Sequence, residues 1–496
     1  MALAPFFDRI YSALGGHLSV SRDDLETALR GVVVGIRVAS RLSQNDVWIA
    51  ELTANLIARL YPTIAISGPE QHATKLKSVA QAINPAIEIV SGSHPDLTIA
   101  VGPVHGGAAL RPSASGWVAR LNHNNYLGSG PPNPYAAGAA ATFATAEVFR
   151  RVFLAESQGS NFSVSLLNFD PSLGADRELS SSSLGDLLFV AVGAVGNAGL
   201  WALARDKKRT GRITLLDNER LELSNLQRYV LGTLDDANRN LEKVVIGQRE
   251  LAESLFEVAT TTGSLEEYAG EQQGIKHPNV CISVDNIPSR RASQALLPRL
   301  IVNGWTGEQA LGASWHVLSR EAACLACLYQ PHGEGLSQTE QAARALGLTS
   351  DRAAMLWVTR LPLSDEDIAS AAKKLGVSRE DLTPWKGKSL GDLYTDVVCG
   401  AVPISLPVSR RVETVPLAHQ SALAGILMAA ELVKRTDPNL SAISQDEPLI
   451  SWDNILRPPP DVWPKPRSRE RGCICGDRDY QLIYRDKWEH KSHLDH

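Results

Sequence analysis

The sequence predicts an α/β fold made of two doubly wound parallel-sheet halves, with a helical insert in the second half. Three observations carry this expectation. Short apolar strands alternate with helical stretches in the first 154 residues and again from residue 187 to 285, the pattern of parallel sheets with crossover helices. Two alanine-rich helices, one over residues 137–154 and one in "SALAGILMAAELVKR", echo each other as related halves would. Residues 328–398 interrupt the alternation with short helical pieces joined by loops.

Taken in order, residues 1–30 read as helical and surface-like, and "GVVVGI" (31–36) reads as a buried strand. A helix over 45–61 follows, then the strand "TIAIS", the helix "EQHATKLKSVAQAI" and the strands "IEIVS" and "DLTIAVG". After "VVVGI" comes "RVASRL", where a phosphate loop would need glycines for close backbone approach. The first half therefore lacks a nucleotide fingerprint. It closes with the loop "GSGPPNP" and the helix "GAAATFATAEVFRRVFLAE". The second unit is expected to open near "SVSLLNFD", with "ELSSSSLGD" as a polar connector. Strand 187–192, a glycine loop, a helix to about Arg205, the strand "RITLLD", the helix "NLEKVVIGQRELAESL" and the strand "NVCISVD" complete it. The tail from residue 451 is rich in proline and charge, and its "YQLIYR" reads as a strand.

Bulk properties exclude several classes. At 496 residues the chain has room for two to four domains, and 44% hydrophobic with 21% charged residues is an ordinary soluble balance. A net charge of −5 does not fit a nucleic-acid binder, which shows a basic face. The opening "MALAPFFDRIYSALGG" has no basic segment leading into a long apolar one, so no signal peptide and a cytoplasmic location are expected. "LLFVAVGAVGNAGLWALA" (187–204) approaches the length of a membrane span. Gly193, Gly196, Asn197 and Gly199 at its centre, with Asp186 and Arg205 at its edges, argue against that. Six cysteines are too few for a disulfide scaffold.

That stretch reads instead as a loop where backbone amides and a helix N-terminus meet a phosphate. Gly193 and Gly196 allow the close approach. Read as G-A-V-G-N-A-G, the pattern puts Val195 and Ala198 at two positions of the usual glycine fingerprint. Asp217 ends the next strand, 24 residues after Gly193, where an acid holds a ribose hydroxyl pair. So far a dehydrogenase and an ATP enzyme fit equally.

The downstream residues separate them. "DNERLELSNLQRYVL" resembles the ThiF/MoeB and ubiquitin-activating superfamily, whose members carry an acid, a spacer and an S-N-L-x-R element. Lys243 in "NLEKVVIGQ" and the D-N-x-x-x-R of "VDNIPSRR" (Asp285, Asn286, Arg290) match further family motifs. "CLACL" pairs with "RGCICGD" like the family's split zinc site. The resemblance covers roughly 185–320 and 399–476, in the family's order.

The resemblance implies a reaction. Members activate a C-terminal glycine by attack of its carboxylate on the α-phosphate of ATP, giving an acyl adenylate and pyrophosphate. Such a transition state needs preorganised cations. By resemblance Arg228 and Lys243 supply them, Asn225 orients phosphate oxygens, Asp217 holds the ribose and Asp285 holds Mg²⁺. Arg290 reads equally as structural. Many members also take an arginine from the partner half, for which Arg9 and Arg22 are candidates. Cys324, Cys327, Cys473 and Cys475 would hold structural zinc. The family usually carries C-x-x-C at both places, so the C-x-C of Cys473 and Cys475 is a departure. Cys399, in a region comparable to the family's thioester crossover, would attack the adenylate carbonyl. Cys281 sits in a core strand and reads as structural.

The expected layout is thus an inactive Rossmann-like adenylation half at 1–160 and an active adenylation domain at 161–327. A helical cysteine-bearing insert at 328–400, the remainder of the adenylation domain with the zinc-binding pair at 401–476 and a tail at 477–496 follow. The expected partners are a ubiquitin-like protein with a C-terminal glycine and a conjugating enzyme, with no nucleic acid and no membrane. The chain would be a monomer with an internal pseudo-dimer, or a homodimer. A bacterial conjugation operon of the Bil antiphage type is one setting. Adenylation of a sulfur-carrier protein and an inactive ubiquitin-like-binding scaffold are the alternatives. An NAD dehydrogenase leaves "SNLQR" and the paired cysteines without a role.

Overall fold

A computed structural model describes residues 4–6, 22–91, 94–107, 109–122, 125–154, 161–271, 277–307, 309–318, 322–329, 338–394, 397, 416–442, 444, 446–459 and 463–489. It is an α/β protein with parallel sheets and many helices. The chain divides into two compact units. One takes in Glu26–Gln330 and Pro416–His496, the other Pro331–Val415.

The first unit begins with a parallel sheet of β1 (Val34–Val38), β2 (Thr63–Ser67), β3 (Glu88–Val90) and β4 (Leu97–Val101), ordered β3-β2-β1-β4. Val34 pairs with Ile64 on one side and Leu97 on the other. The helix Gln44–Ala58 follows β1. It starts at Ser43, whose hydroxyl accepts from the Asp46 amide in a capping box. The helix Glu70–Ile83 lies where "EQHATKLKSVAQAI" predicts it.

A small antiparallel sheet, β5 (Arg111–Ser115), β6 (Val118–Asn122) and β7 (Phe162–Ser165), continues this half. The strand in "SVSLLNFD", expected to open the second unit, pairs instead with β6, Ser165 opposite Val118. Its alternating small residues fit either sheet, and the sequence cannot show which edge is open.

The second sheet has eight strands in the order β10-β9-β8-β11-β12-β13-β14-β15. These are β8 (Ser182–Val190), β9 (Arg209–Leu216), β10 (Phe256–Thr261), β11 (Asn279–Ile282), β12 (Leu300–Thr306), β13 (Leu311–His316), β14 (Leu449–Trp452) and β15 (Pro464–Lys465). The first five run parallel and the last three add antiparallel. From β8 the chain winds outward through β9 and β10, then returns to β8's other side as β11. Ligands in doubly wound sheets bind at such a reversal, outside the strands' C-terminal ends.

Three helices, Pro134–Phe153, Ala194–Arg205 and Ala418–Thr436, are buried together beside this sheet. Their contact is backbone-close because it is made of glycines. A Cβ on Gly425 would stand 2.1 Å from the Val195 carbonyl, and one on Gly138 would meet Ile426 and Trp201. A buried polar cluster ties the helix ends. Arg209 pairs with Asp206 and Asp437 at 3.0 Å each, and the Tyr135 hydroxyl donates to Asp206 at 2.9 Å. Removing one partner of such a cluster leaves an uncompensated buried charge, at a cost of about 3–5 kcal/mol.

The second unit is helical. Gln338–Leu346, Ser350–Thr359, Asp365–Leu375, Arg379–Leu382 and Leu390–Leu393 surround a core of Leu346, Leu356, Ile368, Leu375, Trp385 and Leu390.

The tail corrects the sequence reading. "YQLIYR" lies in the helix Arg478–Glu489, not in a strand. The alternation of Tyr480, Leu482 and Tyr484 imitates period two. The buried contacts have the helical period: Tyr480 and Tyr484 pack on the cysteine cluster, and the Trp488 indole donates to the Leu297 carbonyl. Among the described residues no helix is long and apolar enough to cross a membrane. The stretch 187–204 is the end of a strand, a short loop and nearly all of the helix Ala194–Arg205.

Candidate functional site

The reversal between β8 and β11 is occupied by the glycine loop. The loop's register differs from the one read in the sequence. The helix begins at Ala194 with Gly193 as its cap, and Ala191 holds a left-handed φ of +69°. Ala191, Gly193 and Gly196 therefore stand at the three fingerprint positions, and only the first has lost its glycine. Val195 and Ala198 are ordinary helix residues rather than replaced glycines. The tight turn that the first glycine usually makes is carried by an alanine, at a strain cost of about 1–2 kcal/mol. The two glycines do different work. A Cβ on Gly196 would lie 2.1 Å from the Ala191 carbonyl, so this glycine lets the helix close on the strand. A Cβ on Gly193 would meet nothing within 4 Å, so this glycine leaves space in front of the helix N-terminus.

Asp217, at the end of β9, closes the loop from the side. One carboxylate oxygen accepts from the Val192 amide at 2.6 Å and the other from the Glu219 amide at 2.8 Å. The residue is buried. Burial raises its pKa above the ordinary value, against the pull of nearby Lys243 and the two amides. Lys243 starts the helix Lys243–Leu251 with its side chain buried, and its ammonium pairs with Glu219. Asp217, Glu219 and Lys243 thus form one connected group beside the loop.

Asn225 and Arg228 lie on or beside the 3-10 turn Leu223–Gln227. The Asn225 side-chain oxygen accepts from the Glu222 amide at 3.2 Å and shapes the turn. Arg228 is half-buried at the turn's end. Asn197, on the glycine-loop helix, joins this turn to the loop. Its amide donates to the Gly193 and Ala194 carbonyls at 2.7 and 2.9 Å, and its oxygen accepts from the Leu231 amide at 3.2 Å. Sequence reading missed this role for Asn197, although an asparagine between two glycines was the available signal.

On the other side of the reversal, the Ser283 hydroxyl after β11 donates to the Ala191 carbonyl at 2.8 Å. Asp285 follows, exposed, with its carboxylate receiving the Asn286 amide at 3.3 Å. Asn286 caps the helix Ile287–Ala292. Arg290 is buried and spends its donors on protein. It reaches the Val284 carbonyl and Asn303 oxygen at 2.5 Å each, the Gly304 carbonyl at 3.2 Å and the Tyr329 hydroxyl at 3.1 Å. It fixes the loop that displays Asp285.

A second centre lies beyond β13 and β15. Cys324, Cys327, Cys473 and Cys475 are all buried, and their sulfurs lie within 4.8 Å of one another. Cys324 is 3.7 Å from Cys327 and 3.6 Å from Cys473, and Cys327 is 3.5 Å from Cys475. A tetrahedral ion about 2.3 Å from each thiolate spaces them about 3.8 Å apart. A disulfide would need about 2.05 Å. The C-x-C spacing of the second pair therefore reaches the geometry of a four-thiolate metal site. The Glu470 amide donates to Cys327 sulfur at 3.4 Å, as ligand thiolates commonly receive. The tail helix is strapped alongside, with the Tyr480 hydroxyl donating to the Gln294 carbonyl at 2.7 Å.

Cys281 is buried in β11, and burial pushes its thiol pKa up. Cys399 and Arg9 lie outside the described residues. Arg22 begins the exposed start of the helix Arg22–Arg30.

Fold and site together define an α/β protein with a glycine-loop crevice and a four-cysteine centre. Residues 40–154 match the prokaryotic E2 family C. The chain belongs to the family of the Sinorhizobium fredii (strain NBRC 101917 / NGR234) protein y4jF, described as an uncharacterized protein. The two are 33% identical, over 98% of each chain. The fold is also similar in part to the microcin C7 biosynthetic enzyme MccB in complex with N-formylated MccA, with TM-score 0.36 and 13% identity over 74% of this chain and 98% of that one. Escherichia coli MccB with ATP gives TM-score 0.35 and 15% identity over 59% of this chain and 66% of that one.

Proposed function

We propose that this chain is an ATP-dependent activating enzyme for a ubiquitin-like protein. The observation that carries the reading is the assembly at the β8–β11 reversal. An open Gly193, the anchored Asp217 with Lys243, and a turn bearing Asn225 and Arg228 all belong to one hydrogen-bonded loop system. Its order along the chain is that of the adenylating superfamily.

In this reading the terminal glycine carboxylate of the ubiquitin-like protein attacks the α-phosphorus of ATP. The bond from that phosphorus to the bridging oxygen breaks, and pyrophosphate leaves. Arg228 and Lys243 face the charge gathered on the phosphoryl oxygens, where fixed cations contribute most. Asn225 donates to a phosphate oxygen, Asp217 accepts from the ribose hydroxyls, and Gly193 and Gly196 floor the site. Asp285 would hold Mg²⁺ against the phosphates, a hard cation suited to carboxylate oxygen. The four cysteines would hold zinc, which ties the tail to the domain and takes no part in the reaction.

The thioester step falls to Cys399. Of the six cysteines, four are clustered and Cys281 is buried in a strand, which leaves one. Its thiolate would attack the adenylate carbonyl carbon, release AMP and hold the acyl group for transfer to a conjugating enzyme. Residues 40–154 contain no cysteine, so the stretch matching the E2 family cannot itself carry a thioester. We assign this half the part of an inactive adenylation-like partner in an internal pseudo-dimer.

The test is incubation with ATP, Mg²⁺ and ubiquitin-like proteins ending in glycine, read on a non-reducing gel. A thiol-sensitive adduct that disappears in Cys399→Ala supports the assignment. An adduct that persists in that variant overturns it.

A further inference from the structure

The N-terminal half reaches the segment beside the candidate site through Arg59 and Asn55. Arg59 ends the helix Gln44–Ala58 and is 1% exposed. Sequence reading gives it no role, since a charge at a helix end ordinarily faces water. Its guanidinium donates to three backbone carbonyls of one short segment: Leu226, Val230 at 3.3 Å and Gly232 at 3.3 Å. Its Nε donates to the Asn55 side chain at 2.9 Å, and Asn55 donates in turn to the Val230 carbonyl at 3.0 Å. Among the described residues no carboxylate pairs with it, and burial lowers its pKa to about 9.

A buried cation without a counter-charge is costly unless its hydrogen bonds are complete. Here four of the five N–H groups are used, one on Asn55 and three on the segment that begins with Asn225 and contains Arg228. The planar fork of arginine can reach several carbonyls held in one plane, and the ammonium of lysine cannot. From the opposite side, Asn197 and Arg249 hold the amide and carbonyl of Leu231. The segment is thus clamped between the glycine-loop helix and the N-terminal half.

We infer that Arg59, with Asn55, is a positioning residue that fixes the 225–232 backbone so that Asn225 and Arg228 face the nucleotide. This gives the N-terminal half a role in the chemistry although it has no glycine loop. The inference rests on the adenylation reading for what the segment contacts, but not for how the segment is held.

The experiment uses the full chain and two readouts. Hydrogen exchange measures the 225–232 amides in wild type, Arg59→Lys and, should that variant fail to fold, Asn55→Ala. Calorimetric titration with Mg·ATP follows the same proteins, Arg228→Ala and the double variant. Faster exchange confined to 225–232 is expected, with ATP affinity about tenfold weaker in Arg59→Lys. In the Arg228→Ala background the Arg59 effect should shrink to the part carried through Asn225, because coupled residues do not add. Unchanged exchange at 225–232 overturns the inference, and so does a loss that adds in full to that of Arg228→Ala. Wild type that binds no ATP overturns the adenylation reading instead, and the exchange result still decides the role of Arg59.

Discussion

The Asp217 carboxylate accepts the Val192 amide at 2.6 Å, so the acid at the end of β9 holds the glycine loop in place. Its second oxygen is used by Glu219. Asp217→Asn cannot serve both amides, because one of its oxygens becomes a donor. A buried amide left unpaired costs about 1–3 kcal/mol. The expected outcome is weaker Mg·ATP binding together with a lower melting temperature, measured by titration and thermal unfolding. Weaker binding with unchanged stability would show that the acid does not support the loop.

The loop's three fingerprint positions separate by substitution. Gly196→Ala is expected to destabilise strongly, since its methyl would fall 2.1 Å from the Ala191 carbonyl. Gly193→Ala should fold like wild type and lose ATP affinity, because its methyl enters space left for the ligand. Ala191→Gly should raise stability. Relief of a positive φ, about 1–2 kcal/mol, exceeds the unfolded-state entropy that glycine adds, about 0.4–1 kcal/mol. Thermal unfolding of the three variants, with ATP titration, checks all of this.

The four cysteines give a stoichiometric expectation. The purified chain should carry about one zinc per molecule by elemental analysis, as a four-thiolate site does. Cys475→Ser should lower both zinc content and melting temperature. Its effect on the rate of adenylate formation should be small, as expected of a structural centre. Full stability in the metal-free protein would contradict the role.

In the helical unit, Asp367 is held by Arg352 at 2.7 and 2.9 Å and closes a capping box with Ser364. The Arg352 bond, followed by bonds from Ser364, depresses its pKa to about 2 against the cost of burial. A depressed folded-state value means that stability is present above the unfolded value near 3.8 and is lost as pH falls toward about 2. Hydrogen exchange of the helix Asp365–Leu375 should accelerate across that window. Asp367→Asn should weaken this pH dependence, leaving the part due to Asp365, whose carboxylate Lys386 and Arg379 also hold below the ordinary value.

Much of the parallel architecture is legible because it depends on local pattern. β1, β2 and β4 follow from apolar runs, and the helix Glu70–Ile83 from period and composition. The acid is marked by its spacing from Gly193, and the lysine and the paired cysteines by the family resemblance. What sequence hides is tertiary. The strand Phe162–Ser165 could join either sheet, and its partner is chosen by the edge that folding exposes. Tyr480, Leu482 and Tyr484 satisfy two periods at once, and only the surface beneath them selects the helix. Ala191 hides the fingerprint because its backbone angle leaves no trace in the letters. Arg59 carries no signal in the sequence because its partners are carbonyls some 170 residues away in the chain.

In the proposed reaction ATP is split at its α-phosphate for acyl transfer. The most direct measurement is product analysis with ATP labelled at the α-phosphate, a ubiquitin-like protein ending in glycine, and pyrophosphate exchange in parallel. The expected products are AMP and pyrophosphate, with exchange that requires the terminal glycine and a loss of 100-fold or more in Arg228→Ala and Lys243→Ala, about the size of removing one charge-stabilising donor. ADP and phosphate as products, or exchange undiminished in both variants, would contradict the proposed reaction.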